Sequence, residues 1–219
     1  MARQIAHEIK NPLTPMKLSI QYLLKCWDSR RDNFEPMLKK TAQTLVDQID
    51  QLSAVASQFS GIAKMKQAEP VVYDLAARLS ATATLFGRAE EAEVTYDGPQ
   101  EGVMIKADPD LMTSVFNNLI KNAQQSAADG RKVNIAVALS TDPSNATVTV
   151  TDNGDGIPDA IREKIFRPNF TTKSTGMGLG LAITKNIVDN SGGDISFATE
   201  VGRGTTFTVV LPLSTDQPS

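Results

Sequence analysis

Four short runs of this 219-residue chain hold residue types that can do chemistry. The first is His7-Glu8-Ile9-Lys10-Asn11-Pro12-Leu13-Thr14-Pro15, and His7 is the only histidine present. A neutral imidazole carries a proton on one nitrogen and a lone pair on the other, so it can act as a nucleophile near neutral pH. A zinc pair of the H-E-x-x-H kind is excluded, because Asn11 stands at the second position and no spare histidine exists. Taken alone, a single histidine reads as an ordinary surface or core residue of a helix. The second run contains Asn118 and Asn122, spaced i and i+4 and therefore on one helix face. Taken alone, that pair is a solvated face. The third is Asp152-Asn153-Gly154-Asp155-Gly156-Ile157-Pro158. Its two glycines permit a sharp turn and close approach of a ligand to the backbone, and Asp152 can accept from an exocyclic amine. Asp-Gly pairs are also common in plain turns. The fourth, Gly176-Met177-Gly178-Leu179-Gly180-Leu181, opens a helix, whose free N–H groups make an anion site. No strand precedes it and no Gly-Lys-Ser/Thr follows, so it is neither a dinucleotide fingerprint nor a P-loop.

These runs sit on two regions of different pattern. From Met1 to about Lys66 no strand signal occurs, and no glycine appears before Gly61. Leu38, Ala42, Leu45, Ile49, Leu52, Ala56, Phe59 and Ala63 step by four and three, a heptad seam. Ile5, Ile9, Met16, Ile20, Leu23 and Trp27 do similarly before the polar turn Asp28 to Asn33, and Pro36 suits a helix start. The pattern predicts a helical hairpin, and two hairpins pairing as a four-helix bundle would bury the seam; packing of the seam on the second region is the alternative. Pro12 and Pro15 each delete a helical hydrogen bond and should bend or loosen the helix just past His7. That bend either helps a second domain approach the histidine or is a tolerated kink.

After Gln67-Ala68-Glu69-Pro70 helices and strands alternate. Helices are predicted at Asp74 to Phe86, Asp108 to Ala127 and Gly178 to Asn190, the second started by Asp108-Pro109 as cap and first residue. Strands are predicted at Val94 to Tyr96, Val103 to Lys106, Val133 to Leu139, Thr147 to Thr151, Ile195 to Thr199 and Thr205 to Leu211. Helices on one side of a mixed sheet make an α+β two-layer sandwich.

In this order, the runs resemble the ATP-binding domain of the histidine-kinase, gyrase, Hsp90 and MutL superfamily, over about Pro70 to Pro212. Asn118 to Asn122 is similar to its N box, Asp152 to Gly156 to its G1 box, Phe166-Arg167-Pro168-Asn169-Phe170-Thr171-Thr172-Lys173 to its F box, Gly176 to Gly180 to its G2 box, and Gly202-Arg203-Gly204-Thr205 to its last glycine box. The run at His7 resembles the H box of the histidine kinases. The chain is thereby identified as similar to a two-component sensor histidine kinase; His7 to Pro15 with Asn122-Ala123-Gln124-Gln125-Ser126-Ala127 looks most like the nitrogen-regulation subset.

The resemblance implies that ATP with Mg²⁺ binds the second region and that His7 takes the γ-phosphoryl group. It implies Asp152 on the adenine amine, Asn122 as an oxygen ligand to Mg²⁺, Asn118 as a further polar contact, and backbone N–H groups near Gly178, Leu179 and Gly180 on the phosphates. Gly154, Gly156, Thr172, Gly176 and Thr205 complete the nucleotide set. Lys173 would offset γ-phosphate charge, all the more because Gln125 stands where many members carry a base. Phe166 and Phe170 are expected to pack the lid. Glu8 would act as general base toward His7, and Asn11 would orient a water that hydrolyses the partner's phosphoryl group. The expected partners are a second copy, forming a homodimer, and the receiver domain of a response regulator. The expected domains are 1–66 for dimerisation and phosphotransfer, 70–213 for ATP binding and 214–219 as a tail. Left open are a superfamily ATPase or serine kinase, and a non-catalytic phosphatase or scaffold.

Composition agrees. The net charge is −3 with Lys and Arg scattered, so no basic stripe for nucleic acid is visible. The single cysteine, Cys26, excludes an internal disulfide, fits a reducing, cytoplasmic setting, and reads as a small buried hydrophobe. No apolar stretch approaches the roughly 18 residues of a membrane span. The helical pattern starts at Met1 without a cap, which suggests a start inside a longer helix, with any sensor or membrane part outside this chain.

Overall fold

The computed structural model describes residues 2–28, 34–65, 68–87, 92–127, 131–172 and 178–216; the side chains of 2–9, 28, 50, 51 and 53–65 fall outside the description. Two compact units are present, residues 1–60 and 61–219.

In the first unit α1 spans Ala2–Asp28 and α2 spans Phe34–Met65. The expected bend does not break α1, which continues through Pro12 and Pro15. The Thr14 hydroxyl donates to the Lys10 carbonyl at 3.0 Å on the same stretch. Among described side chains, those buried in the hairpin are small: Pro12, Cys26 and Thr41. Trp27 and Phe34 meet edge to face, 5.3 Å between centroids, at the hairpin end. The predicted seam is only half covered. Leu45 and Leu52 are half-buried, whereas Leu38, Ala42 and Ile49 are exposed; Ala56, Phe59 and Ala63 have side chains outside the described set.

The second unit runs β1 (Val71–Asp74), α3 (Leu75–Gly87), β2 (Ala92–Asp97), β3 (Met104–Ala107), α4 (Pro109–Gln124), β4 (Val133–Thr141), β5 (Asn145–Asp152), a 3-10 turn (Asp159–Lys164), α5 (Gly180–Asn190), β6 (Asp194–Glu200) and β7 (Gly204–Pro212). The main sheet has the order β2-β4-β5-β7-β6, with β2 parallel to β4 and the other pairs antiparallel. Its core follows from strict alternation. Val133, Ile135, Val137 and Leu139 of β4, Val148 and Val150 of β5, and Val209 and Leu211 of β7 are buried. Against this face lies α4, with Leu111, Met112, Val115, Phe116, Leu119 and Ile120 buried. Asp108 caps α4 as predicted, accepting from the N–H groups of Asp110 and Leu111, both at 3.0 Å.

Three local departures from the predicted elements have physical causes. β1 was not expected, because Val71-Val72-Tyr73 is too short to show a period; it pairs antiparallel with β3. Asp74 does not open the helix but caps it, its Oδ1 accepting from the Ala76 N–H at 2.9 Å, while the Gly102 N–H donates to its Oδ2 at 2.6 Å. α4 ends at Gln124, where Gln125 turns out of helical geometry with φ −95° and ψ 15°. Beyond β7, Leu213 and Ser214 donate to the Ser144 and Met104 carbonyls at 2.8 Å, strapping the chain end to β3.

Candidate functional site

β5 delivers Asp152 at the point where the strand must turn. Its side chain is 6% exposed. Oδ1 accepts from the Gly154 N–H at 2.8 Å and the Thr205 N–H at 3.3 Å, both on one oxygen. Burial pushes the Asp152 carboxyl above its usual range. The Gly154 N–H, the adjacent Ser126 hydroxyl and the Thr205 N–H pull it back down, and the Asp155 carboxylate adds to the rise. The Ser126 hydroxyl is buried beside it without a hydrogen bond of regular geometry.

The turn after Asp152 is clamped on three sides. The Asp155 N–H donates to the Ser126 carbonyl at 2.9 Å, and the Gly202 N–H donates to the Asp155 carbonyl at 2.8 Å. Arg131 Nη2 bonds both the Asn153 carbonyl and Asp155 Oδ1 at 3.1 Å. Gly156 has φ +72°, and a Cβ there would overlap the Glu200 carbonyl, so glycine is required.

A cavity of about 750 Å³ opens over this turn. Asn122, Gln125 and Ser126 line it from the end of α4, Leu181 from the start of α5, and Thr205 and Phe207 from β7. Ile157, Ile161, Ile165, Phe170, Thr171 and Thr172 close the remaining side. The wall is thus apolar in the main, with amides, hydroxyls and the carboxylates of Asp152 and Asp155. This composition suits a flat heterocycle recognised by a few polar groups. The described part of the wall contains no lysine or arginine.

At the other end, the Ile183 N–H makes the first helical bond of α5, to the Leu179 carbonyl at 2.9 Å. The N–H groups of Gly180, Leu181 and Ala182 precede it and have no helical acceptor. Gly178 has φ +66° and presses on the Phe170 backbone, where any Cβ would overlap. Phe170 and Gly178 are therefore adjacent in space.

Of the expected residues, the structure gathers Asn122, Asp152, Gly156, Thr172 and Thr205 on the cavity wall. Gly154 lies buried beneath, bonded to Asp152. Gly178, Leu179 and Gly180 form the entry to α5. Asn118, expected as a further polar contact, lies one turn before Asn122 on α4, and its amide nitrogen donates to Thr184 Oγ1 of α5 at 2.9 Å. Phe166 packs against Phe197 and Phe207, 5.9 and 6.5 Å between centroids, the structural role expected of it, whereas Phe170 reaches the cavity. Lys173 and Gly176 lie outside the described residues. His7 and Glu8 lie on α1 with undescribed side chains, and Asn11 is exposed one turn further on. Sequence reading missed Ser126, Ile161, Ile165, Leu181 and Phe207. Two of these had a signal: Ser126 continues the i, i+4 spacing from Asn122, and Phe207 alternates with Thr205 along β7.

Known proteins match both units of the chain. Residues 107–215 match the family model described as histidine kinase-, DNA gyrase B- and HSP90-like ATPase, and residues 1–68 match the His Kinase A (phospho-acceptor) domain. The chain is 33% identical over 217 residues to the sensor histidine kinase ZraS of Escherichia coli K12, covering 98% of itself and 45% of ZraS. It is 31% identical to sporulation kinase A of Bacillus subtilis, covering 97% of itself and 34% of that protein. The chain therefore spans less than half the length of these curated relatives. Among solved structures, the catalytic domain of histidine kinase ThkA aligns with 66% of this chain and 95% of its own, with TM-score 0.58 and 28% identity. ThkA in complex with the response regulator protein TrrA aligns with 98% of this chain and 61% of its own, with TM-score 0.71 and 25% identity. With a phosphoacceptor domain followed by this ATPase domain in one chain, the protein belongs to the two-component sensor histidine kinases.

Proposed function

We propose that this chain binds ATP with Mg²⁺ in the cavity above Asp152, phosphorylates His7, and passes the phosphoryl group to an aspartate of a response regulator. The observation that carries the nucleotide part is the buried Asp152 carboxylate, whose Oδ1 is held by two backbone N–H groups. That arrangement leaves Oδ2 as an acceptor-only group for the adenine 6-amine, and it rejects the 6-carbonyl of guanine. The apolar wall from Ile157, Ile161, Ile165 and Phe207 suits the purine face. Asn122 offers an amide oxygen, the ligand type that a hard cation such as Mg²⁺ accepts. When bound, Mg²⁺ would neutralise phosphate charge. The N–H groups at the start of α5, which have no acceptor within the helix, suit the phosphates.

Transfer breaks the bond between the γ-phosphorus and its bridging oxygen and forms a bond to a ring nitrogen of His7; ADP leaves. Glu8 takes the proton from the other ring nitrogen, Lys173 offsets charge on the moving group, and Asn11 orients water for the reverse task of dephosphorylating the partner. Gly154, Gly156, Thr172, Gly176, Gly178, Leu179, Gly180 and Thr205 complete the nucleotide site. Residues 1–66 serve as the dimerisation and phosphotransfer domain and 70–213 as the ATP domain, working in the cytoplasm. The half-covered seam, with Leu38 and Ile49 exposed, supports a homodimer that closes a four-helix bundle.

Calorimetry with a non-hydrolysable ATP analogue tests the nucleotide part. Binding that strengthens with Mg²⁺ is expected. No binding in either condition would leave a scaffold or a nucleotide-independent phosphatase. For Asn11, Asn11→Ala should slow loss of aspartyl phosphate from a cognate regulator while leaving nucleotide binding intact. An unchanged rate of loss would remove Asn11 from that role.

A further inference from the structure

Ser126 stands just past the end of α4, and its backbone is pinned from both sides. Its N–H donates to the Ala123 carbonyl at 3.1 Å, and its carbonyl accepts from the Asp155 N–H at 2.9 Å. The side chain is thereby held against the turn that follows Asp152. Its Oγ is wholly buried and makes no hydrogen bond of regular geometry. Gly154 makes the room for it: a Cβ built there would overlap Ser126 Oγ and would stand 2.8 Å from Asp152 Oδ1. The hydroxyl and the carboxylate thus border the same small space above Gly154. The hydroxyl of Thr205, whose N–H also donates to Asp152, is engaged with Thr199 Oγ1 at 3.0 Å.

We propose that Ser126 is a positioning residue for adenine recognition: its hydroxyl donates to the Asp152 carboxylate, keeping that group an acceptor for the adenine 6-amine, and does not itself touch the base. This rests on the ATP-site assignment above. A buried hydroxyl places its proton on an acceptor wherever one is in reach, and a carboxylate is a strong one. Burial drives the Asp152 carboxyl up, and the Ser126 hydroxyl is among the groups that draw it back down. The charged groups facing that carboxyl are Asp155, which adds to the rise, and Arg131 just before β4, which pairs with Asp155 at 3.1 Å. Among the described residues, α4, α5, β7 and the 3-10 turn bring no other titratable side chain to the wall. Removing the hydroxyl leaves those charges in place, so its effect is separable from theirs.

The test is the pH profile of ADP binding with Mg²⁺, measured by calorimetry over about pH 5 to 9, on both sides of the carboxylate and imidazole range. The proteins are the whole chain, Ser126→Ala, Ser126→Thr, Asp152→Asn and the double variant of Ser126→Ala with Asp152→Asn. The ligand's own titration is common to all of them and cancels in the comparison. Donation to the ionised carboxylate lowers the pH at which affinity falls, so loss of the donor raises it. In Ser126→Ala the fall should come about one pH unit higher than in the parent. At the alkaline end the two affinities should converge to within about threefold. Ser126→Thr, which keeps the hydroxyl, should follow the parent. With Asp152→Asn no carboxyl is left to titrate, and adding Ser126→Ala should shift nothing. Parallel profiles for the parent and Ser126→Ala, whatever their offset, would make Ser126 a packing residue only and overturn the proposal. So would a shift that persists in the double variant. If Ser126→Thr fails to fold by circular dichroism, the parent and Ser126→Ala profiles still decide. A parent chain that binds no ADP at any pH would instead sink the ATP-site assignment, and this proposal with it.

Discussion

The two units differ in where their large apolar side chains go. In the second unit Leu119, Ile120, Ile135 and Leu211 are wholly enclosed by a sheet and its helices. In the first, the buried described side chains are small, while Leu18, Tyr22, Leu24, Trp27, Val46 and Ile49 stand exposed, Trp27 to 66% and Ile49 to 54%. So many large apolar side chains exposed on one short hairpin are what an interaction surface shows. The α/β unit satisfies itself and keeps a mainly apolar cavity with a few polar groups; the hairpin shows a surface that a second copy would cover. On the proposed reading, dependence on a second copy falls to the unit that matches the phosphoacceptor domain, and nucleotide recognition to the α/β unit.

The sharpest way to break that contrast is Ile49→Glu, a charge placed on the exposed seam. The account expects dimer affinity to fall by about 100-fold or more, since an unpaired charge buried in the interface costs several kcal/mol. Sedimentation would show the monomer, and ADP binding should be unchanged. An unaltered dimer would place the interface elsewhere.

Next in size is Asp152→Asn, which replaces an acceptor-only group with one that also donates. A lost charged hydrogen bond is worth about 1.5–3 kcal/mol, so ADP affinity should drop about 10- to 100-fold, with the dimer intact. The sign of its pH dependence follows from burial. The folded carboxyl holds its proton more tightly than the unfolded one, so ionised Asp152 opposes folding. Its stabilising share is full below the unfolded pKa and is lost as pH rises through the raised folded pKa. Adenine recognition, which needs the ionised form, runs the other way. ADP affinity should weaken as pH falls, starting above the ordinary carboxylate value of about 4. An Asp152→Asn variant that melts well below the parent at neutral pH would contradict this.

The smallest effect is expected from Asp108→Ala. It removes the α4 cap and the Glu69 N–H bond at 3.2 Å. The loss should be about 1–2 kcal/mol, read as a melting point lower by a few degrees, with dimerisation and nucleotide affinity at saturating temperature control unchanged.

Much of this contrast was legible from residue order alone. Period-2 runs such as Val133 to Leu139 gave the strands, Asp108-Pro109 gave the start of α4, and the glycine-bearing turns located the cavity floor. What escaped had no local signature. β1 is four residues long and gains its partner from β3, far along the chain. Ile161, Ile165 and Leu181 reach the cavity only because the 3-10 turn and α5 fold over it. Asn118 shows the limit most clearly. The family resemblance implied a further polar contact for it beside Asn122, and neither resemblance nor spacing reveals that Thr184, 66 residues later, accepts from its amide. The seam was visible as a heptad, yet which of its residues the hairpin covers depends on α1, whose prolines interrupt the same reading.

The central claim is tested most directly by incubating the whole chain and His7→Ala with γ-labelled ATP and Mg²⁺, then exposing the product to acid. The account predicts a label on the parent that acid removes, no label on His7→Ala, and equal ADP binding by both. A label that survives acid, or one that persists in His7→Ala, would contradict it.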